Sequence, residues 1–149
     1  MSGLVEELKI LQANVFQFYA QSHGYHWNVE GQDFKELHAF FLEIYEDVFD
    51  SIDAISENIR KLNDYAPFGA RDWLQNASVE INDSKNLSCK EMVKELLITN
   101  GYIIDNLNQV FKVATEENQQ GICNFLADRI DKHQFWQWQL RATYKDTNG

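Results

Sequence analysis

Apolar residues recur along this chain at intervals of three and four positions, rather than two, in four long stretches. This spacing places them on one face of an α-helix, whereas a half-buried strand requires strict alternation. The stretches run from about residue 4 to about 27, from near 33 to about 62, from about 88 to 117 and from about 119 to 144. The pattern therefore predicts an all-α protein with four long helices.

Residues beside two of these stretches carry signals for helix N-termini. Asp33 with Glu36, and Ser88 with Glu91, have the spacing of a capping box. In a capping box two side chains satisfy the free backbone amides at the start of a helix. The two boxes predict that the second and third long helices begin next to residues 33 and 88.

The connection between the second and third long helices is itself long. Residues 63–69, which include the only proline, Pro67, break the helical pattern, and residues 78–87 are polar enough for a loop. Residues 71–77, between them, are compatible with a short helix. Four long helices with one long cross-connection describe a ferritin-like four-helix bundle. We therefore expect this bundle, with a short helix in the connection.

The composition limits the class of protein. With 149 residues, 44% of them hydrophobic, the chain is long enough for a single domain over residues 1–149 with a sizeable core. Cys89 and Cys123 lack any Cys-x-x-Cys pairing, so neither a disulfide framework nor a thiolate zinc site is indicated. No apolar run approaches the roughly 20 residues that cross a bilayer, and the amphipathic N-terminus is unlike a signal peptide. We expect a cytoplasmic protein without a membrane partner.

The net charge of -10 argues against nucleic acid as the main partner. Binding to phosphates draws its affinity from Lys and Arg, which are in the minority here. An acidic chain attracts cations instead. Metal-binding side chains at helical spacings are therefore the leading functional candidates.

Two histidines and three carboxylates have spacings that suit a metal site. His26 and His38 are twelve residues apart, and Asp53 and Glu57 are four apart on the second predicted helix. Glu46 belongs to the same face, because all three acids fall within about 100° of His38 around the helix axis. This concentration of ligand types marks the candidate functional site.

Helix geometry restricts how these residues can cooperate. Leu42 and Phe49 lie in the same sector, so we expect the acids beside a buried seam, where a metal ion supplies the counter-charge. His38 and Asp53 are roughly 20 Å apart along one helix and cannot reach one ion within a single chain. Either an antiparallel two-fold pairing sets the histidines of one chain against the acids of another, or no shared site exists.

The residues by themselves leave two interpretations open. Imidazole with carboxylate suits first-row transition metals, usually iron inside helical bundles, with zinc as a substitute. Alternatively, the two histidines are partly buried residues at helix ends. Asp53 and Glu57 are then a solvated pair spaced to meet Arg60 and Lys61.

Several segments together resemble the Dps family of mini-ferritins over nearly the whole chain. The most specific are His26-Trp27-Asn28-Val29-x-Gly31-x-x-Phe34-x-x-Leu37-His38 and Asp53-x-x-x-Glu57-x-x-Arg60, supported by Ala66-Pro67-x-Gly69 and Trp138-x-Leu140-Arg141-Ala142. The resemblance implies a hollow shell of twelve subunits that oxidises Fe(II), preferably with hydrogen peroxide, and stores Fe(III) mineral. Such a protein is an iron store that protects against oxidative stress.

The resemblance also implies roles for individual residues. By position, His26 and His38 correspond to the histidine ligands of the family's ferroxidase site. Asp53 and Glu57 correspond to the carboxylate ligands supplied by the two-fold-related subunit. Trp27 corresponds to the tryptophan beside that centre. The implied site therefore lies between two subunits.

The chain departs from the family pattern at one ligand position. The family usually has an acidic residue four positions after the second histidine, but here Leu42 occupies it. Glu46 is a candidate substitute, although the family pattern does not support it. His23 and His133 match no family ligand, and we expect them at the surface or at an interface.

The entrance for iron differs as well. Near the start of the last helix, where family members often place acidic residues that line a pore, this chain has Asn118-Gln119-Gln120-Gly121. Glu116, Glu117 and Asp128 are the candidates for supplying the negative field instead.

The charge distribution predicts no tight DNA binding near neutral pH. Family members that condense DNA commonly use basic tails, whereas residues 1–7 contain no basic residue and residues 145–149 are short and nearly neutral. Twelve chains at -10 each would carry roughly -120 and repel a duplex. The alternative function is a Dps-like structural or DNA-protecting shell whose metal site is degraded at Leu42.

Overall fold

Five helices follow one another between residues 3 and 146. The computed structural model describes residues 3–146, apart from the side chain of Asp146, so that Met1, Ser2 and the tail residues 147–149 lie outside the described residues. The helices are α1 (Leu4–Asn28), α2 (Phe34–Lys61), α3 (Ala70–Asn76), α4 (Cys89–Glu116) and α5 (Gln120–Asp146), and no strand occurs in this part of the chain. The predicted all-α architecture, with a short helix in the long connection, is confirmed.

The four long helices form two hairpins that pack against each other. α1 packs against α2, and α4 packs against α5, while α1 also contacts α4. Short linkers, residues 29–33 and 117–119, make each hairpin antiparallel. The apolar stripes of the long helices meet in one core that includes Phe18, Phe41, Ile103 and Leu126. Within residues 3–146 no helix combines the length and the apolar character needed to span a membrane.

The long connection between α2 and α4 packs against the surface of the α1–α2 hairpin. Trp73 of α3 stacks on Phe16 of α1, with ring centroids 3.5 Å apart and planes inclined by 22°. The amide of Gln12 donates to the hydroxyl of Ser56 at 2.7 Å and to the carbonyl of Pro67 at 3.0 Å. These contacts hold α3 beside the C-terminal half of α2, which carries Asp53 and Glu57.

Only one of the two predicted capping boxes forms. The Ser88 hydroxyl accepts a hydrogen bond from the Glu91 amide at 3.1 Å, and the Ser88 amide donates to the Glu91 carboxylate at 3.0 Å. Asp33 precedes α2, but its side chain caps no amide, so the box with Glu36 is wrong. The backbone of Asp33 has φ -96° and ψ 19°, whereas a capping residue adopts the extended conformation that aims its side chain at the first turn.

A buried polar network crosses the bundle between α2, α4 and α5. Asp47 accepts two hydrogen bonds of 2.9 Å from the Arg129 guanidinium and one of 2.8 Å from the Trp136 indole. Arg129 also donates to Nε2 of His133 at 3.1 Å, and Nδ1 of His133 donates to the side-chain oxygen of Asn100 at 2.8 Å. Because His133 is only 1% exposed, its predicted position at a surface or interface is wrong. A core tolerates this imidazole because both ring nitrogens are hydrogen-bonded.

The network keeps His133 neutral. Burial and the Arg129 charge lower the pKa of His133 to about 3, although the Asp47 charge acts in the opposite direction. Burial by itself raises the pKa of Asp47, but hydrogen bonds and the charge of Arg129 outweigh it and hold this pKa below its ordinary value. At neutral pH the network therefore consists of an Arg–Asp ion pair and a neutral imidazole.

Candidate metal centre

The two predicted histidine ligands face each other where α1 ends and α2 begins. Their rings are stacked, with centroids 3.8 Å apart and planes inclined by 15°. Nδ1 of His26 lies 2.6 Å from the carbonyl oxygen of His38, and Nδ1 of His38 lies 2.7 Å from the carbonyl oxygen of His26. A carbonyl oxygen only accepts, so each Nδ1 carries a proton, and the neutral form of each ring has its lone pair on Nε2. This is the arrangement in which a second hydrogen bond orients a metal-binding imidazole.

Aromatic rings hold the histidine pair from both sides. Phe34 stacks on His38 with ring centroids 5.0 Å apart, and Tyr45 meets His26 edge to face at 5.2 Å. His26 is 7% exposed and His38 is half-buried. Neither Nε2 atom has a hydrogen-bond partner among the described residues. The pair is therefore rigid and still has two free nitrogen donors.

The predicted carboxylate ligands lie on the outer face of α2. Asp53, Glu57 and Glu46 are all exposed. Phe49, which shares this face, is 52% exposed, so the expected buried seam does not form within one subunit and stays a prediction for a contact between subunits. The core is formed by a different stripe of α2, because the helix turns residues 41, 44, 48 and 55 toward α1, α4 and α5. Metal-free acids on this face are solvated and need no counter-charge.

Asp53 and Glu57 do not form the ion pairs of the alternative interpretation. In the described part of the chain neither carboxylate lies within ion-pair distance of a basic side chain. Arg60 instead donates to the carbonyl of Asp64 at 2.7 Å and lies over the ring of Tyr65. Both carboxylates are therefore available to a ligand from outside the subunit.

One subunit does not bring the histidines and the acids together. α2 is continuous from Phe34 to Lys61, so His38 and Asp53 are separated by roughly 20 Å of helix. Among residues 3–146 no three His, Cys, Asp or Glu side chains converge on a position for a metal ion. The subunit thus carries two separate groups of donors, which we call the histidine half-site (His26, His38) and the acidic half-site (Asp53, Glu57).

An aromatic strip, formed by Tyr19, His23, Trp27, Tyr45 and Phe49, joins the two half-sites along the outer face of α1 and α2. The His23 ring stacks on Tyr45 at 3.8 Å and 11° and lies 4.1 Å from Trp27. Tyr19 contacts Phe49 at 5.0 Å, and its hydroxyl lies 2.8 Å from Nδ1 of His23. Trp27 is 66% exposed, so the strip is apolar and open to a partner.

Sequence reasoning missed this strip as a unit. His23, which was expected at a surface or interface, is half-buried between its aromatic neighbours in this strip. Burial, followed by the nearby His26, lowers its pKa. The sequence did contain a signal for the aromatic strip. Tyr19, His23 and Trp27 recur every four residues on α1, as Tyr45 and Phe49 do on α2, and this spacing aligns side chains along a helix.

The candidate acids for the iron entrance are on the surface. Glu116, Glu117 and Asp128 are exposed around the turn from α4 to α5. Glu117 also accepts a hydrogen bond of 2.9 Å from the backbone amide of Leu4. Their role in a pore stays a prediction.

Comparisons with known proteins identify the family. The model of the ferritin-like domain family matches residues 5–149. An uncharacterized low temperature-induced protein of Nostoc sp. is 31% identical over 142 residues, which cover 94% of this chain and 79% of the relative. A DNA protection during starvation protein of Helicobacter pylori is 27% identical over 137 residues, which cover 92% of this chain and 95% of the relative.

A solved structure shares the fold. The Dps protein of Vibrio cholerae, described as a member of a broad superfamily of ferritin-like diiron-carboxylate proteins, has a TM-score of 0.89. It is 28% identical, and the match covers 93% of this chain and 87% of that protein. The predicted ferritin-like bundle is thereby confirmed. The chain belongs to the ferritin-like family and, within it, to the Dps proteins.

Proposed function

We propose that this protein is a cytoplasmic mini-ferritin that oxidises Fe(II), preferably with hydrogen peroxide, at a site between two subunits. It stores the Fe(III) as mineral inside a hollow homo-oligomer, which the family resemblance implies is a dodecamer. The observation that carries the proposal is the pair of oriented histidines with free Nε2 atoms at one end of α2 and the two unpaired carboxylates at the other.

The donor set suits Fe(II) as a substrate. Two imidazole nitrogens and two carboxylates combine the ligand types that first-row transition metals prefer, and the two negative charges balance a divalent ion. The ferritin-like diiron-carboxylate superfamily named for the Vibrio cholerae structure points to iron. Zinc takes the same ligands and would act as a redox-inert competitor.

An antiparallel two-fold contact along the aromatic strip completes the site. In such a contact each surface patch meets its own copy, so the histidine half-site of one subunit faces the acidic half-site of the other. The same contact covers the exposed rings of Trp27 and Phe49. Burial of these rings stabilises the dimer, and each dimer contains two equivalent sites.

The reaction balances with iron and peroxide alone. Two Fe(II) ions each lose one electron, and the pair reduces the oxygen–oxygen bond of one hydrogen peroxide to two hydroxide ions. Delivery of both electrons to one oxidant avoids the release of hydroxyl radical. The contribution of the chain is to hold iron next to iron through His26, His38, Asp53 and Glu57. Trp27 adjoins this site.

Complementation between inactive subunits tests the shared site. His38→Ala and Asp53→Ala homo-oligomers should each lose rapid peroxide-dependent Fe(II) oxidation, because every site lacks one ligand. Co-assembly of equal amounts should restore about a quarter of the wild-type rate, because half of the two-fold pairs are mixed and each mixed pair contains one intact site. Stopped-flow absorbance of Fe(III) measures the rate.

The control is Glu36→Ala, which removes an exposed carboxylate from the first turn of α2 and should leave the rate unchanged. Native mass spectrometry confirms that mixed oligomers have formed. Absence of recovery in mixed oligomers would contradict a site between subunits, and full activity of either homo-oligomer would contradict the ligand assignment.

Leu42 supports one alternative function. With an apolar residue at a position where the family has an acid, the protein would be a structural or DNA-protecting shell with a degraded metal site. The Helicobacter pylori relative is named for DNA protection. This alternative predicts background oxidation rates and no mineral core in the wild-type oligomer, so iron loading followed by electron microscopy separates it from the first proposal.

A further inference from the structure

Trp27 presents an unusually exposed indole beside the histidine half-site. It follows His26 directly in the chain, and 66% of its surface is accessible. Its indole nitrogen has no hydrogen-bond partner among the described residues. An apolar ring with a free N–H donor is suited to a pocket that is aromatic on its walls and acidic at its rim.

The same subunit carries such a groove at the other end of the strip. Its walls are the rings of Phe16, Phe49 and Trp73, and Asp50 and Asp53 lie at its rim. The stacked pair of Phe16 and Trp73 gives one wall a fixed position. Asp50 is exposed and has no ion-pair partner in the described part of the chain. We call this feature the α3 groove, because α3 supplies Trp73.

Contacts within the first hairpin define the position of this groove along the axis of α2. Gln12 hydrogen-bonds to Ser56, and Tyr19 contacts Phe49. Phe16 therefore lies level with the turn of α2 that contains Asp53. Trp27 cannot enter the groove of its own subunit, because it lies at the opposite end of α2, where His26 stacks on His38.

The proposed two-fold contact brings the two features together. In the proposed dimer, His26 of one subunit reaches the acidic half-site of its partner. Trp27 follows His26 by one residue, so its position along the helix axis differs from that of His26 by about 1.5 Å. The partner's α3 groove opens at this same position along the axis of its α2. Because the contact is isologous, each subunit gives one indole and receives one.

We propose that the indole of Trp27 inserts into the α3 groove of the two-fold partner, between Phe16, Phe49 and Trp73, and that its N–H donates to the carboxylate of Asp50. The occupant is a second copy of this chain. The inference rests on the proposed shared site and adds a metal-independent contact that anchors the histidine half-site against the acidic one. Trp27 is therefore a positioning residue at the dimer contact.

Thiol cross-linking in metal-free protein tests this contact. The proposed contact spans the indole, the hydrogen bond and the Asp50 side chain, which is longer than a direct disulfide can bridge. In a Cys89→Ser, Cys123→Ser background, Trp27→Cys combined with Asp50→Cys should therefore yield, after treatment with a short bismaleimide, a band at twice the 17.4 kDa subunit mass on a denaturing gel. The control pairs Trp27→Cys with Gln109→Cys, an exposed position on α4. A dimer band no stronger than that of the control pair would overturn the proposal.

Substitutions that keep both native cysteines provide a second measurement. Trp27→Ala should weaken two-fold association at least about tenfold, as expected for an anchoring aromatic residue. Trp27→Phe, which keeps a ring but loses the N–H, should weaken it less. Asp50→Asn should have little further effect in the Trp27→Phe background, because the hydrogen bond is already lost. Equal dissociation constants for wild type and Trp27→Ala, measured by analytical ultracentrifugation, would contradict the anchor.

The two proposals fail in different ways. Cross-linking of positions 27 and 50 without complementation between His38→Ala and Asp53→Ala subunits would refute the shared iron site and support the contact of Trp27. Complementation without this cross-link would support the iron site and refute the position assigned to Trp27.

Discussion

Each histidine of the half-site is oriented by the backbone of the other. The reciprocal bonds from Nδ1 of His26 and His38 to carbonyl oxygens define the tautomer of both rings before any metal binds. Leu42, one turn after His38, contributes no donor. The family resemblance implies an acidic ligand at this position, so we expect the substitution by Leu42 to weaken metal binding at the histidine half-site.

Restoring an acid at this position should strengthen metal binding. In Leu42→Asp a carboxylate lies one helical turn from His38, close enough to share a metal ion. We expect Zn²⁺, used as a redox-inert probe, to bind about tenfold more tightly or with one more ion per site, as measured by isothermal titration calorimetry. Leu42→Asn is the control of equal size without charge. Identical titrations for Leu42→Asp and wild type would show that this position does not contact the metal.

At the scale of the elements, the buried polar network fixes how α2, α4 and α5 pack against one another. Its members come from distant parts of the chain, and Asp47 with Arg129 forms a bidentate ion pair only in the assembled bundle. His133 completes the network as a neutral group. The stability of the bundle is therefore linked to pH.

Acidification should destabilise the bundle through His133. The unfolded histidine takes up a proton near pH 6.5, whereas the folded one resists protonation until about pH 3. Between these values the unfolded state binds more protons, so the stability contributed by this group is complete above pH 6.5 and is lost as the pH falls. The slope approaches about 1.4 kcal/mol per pH unit. Asp47, whose pKa is also lowered, adds a loss of the same sign at lower pH.

Thermal unfolding at fixed protein concentration between pH 7 and pH 4 measures this effect. In His133→Gln the titrating group is gone, so the melting temperature should start lower at pH 7 but fall less steeply than in wild type. Parallel curves for the two proteins would show that His133 does not remain neutral in the folded state.

At the scale of the whole molecule, charge determines which partners the surface attracts. Each subunit carries a net charge of -10, and carboxylates are exposed at the acidic half-site and around the turn from α4 to α5. An oligomer multiplies this charge, which raises the local concentration of cations and opposes the approach of nucleic acid.

The protein should not bind duplex DNA tightly near neutral pH. A gel-shift at roughly physiological salt should show no complex at sub-micromolar protein, because few phosphates can be neutralised. As a control, five lysines appended to the N-terminus should produce binding that disappears at high salt. A sub-micromolar complex with the unmodified chain would overturn the prediction.

Local structure and the geometric limit on the site could be predicted from the sequence. Helical periodicity and the Ser88–Glu91 box act over a few residues, so they predicted the long helices and one helix start. The length of α2 likewise required His38 and Asp53 to act from different chains, if they act together. Asp33 shows the limit of such signals. Its spacing with Glu36 is that of a capping box, but its backbone angles do not allow its side chain to cap the helix.

Which faces and groups are buried depends on packing between helices and could not be predicted from local patterns. Periodicity indicates that α2 has apolar positions on more than one side, but only packing against the other helices buried Phe41 and left Phe49 exposed. His133 became a core residue because Asn100 and Arg129, on adjoining parts of α4 and α5, satisfy its nitrogens. The tautomers of His26 and His38 likewise depend on carbonyls twelve residues away along the chain. These contacts join residues that no local pattern relates, so they exist only once the helices have packed.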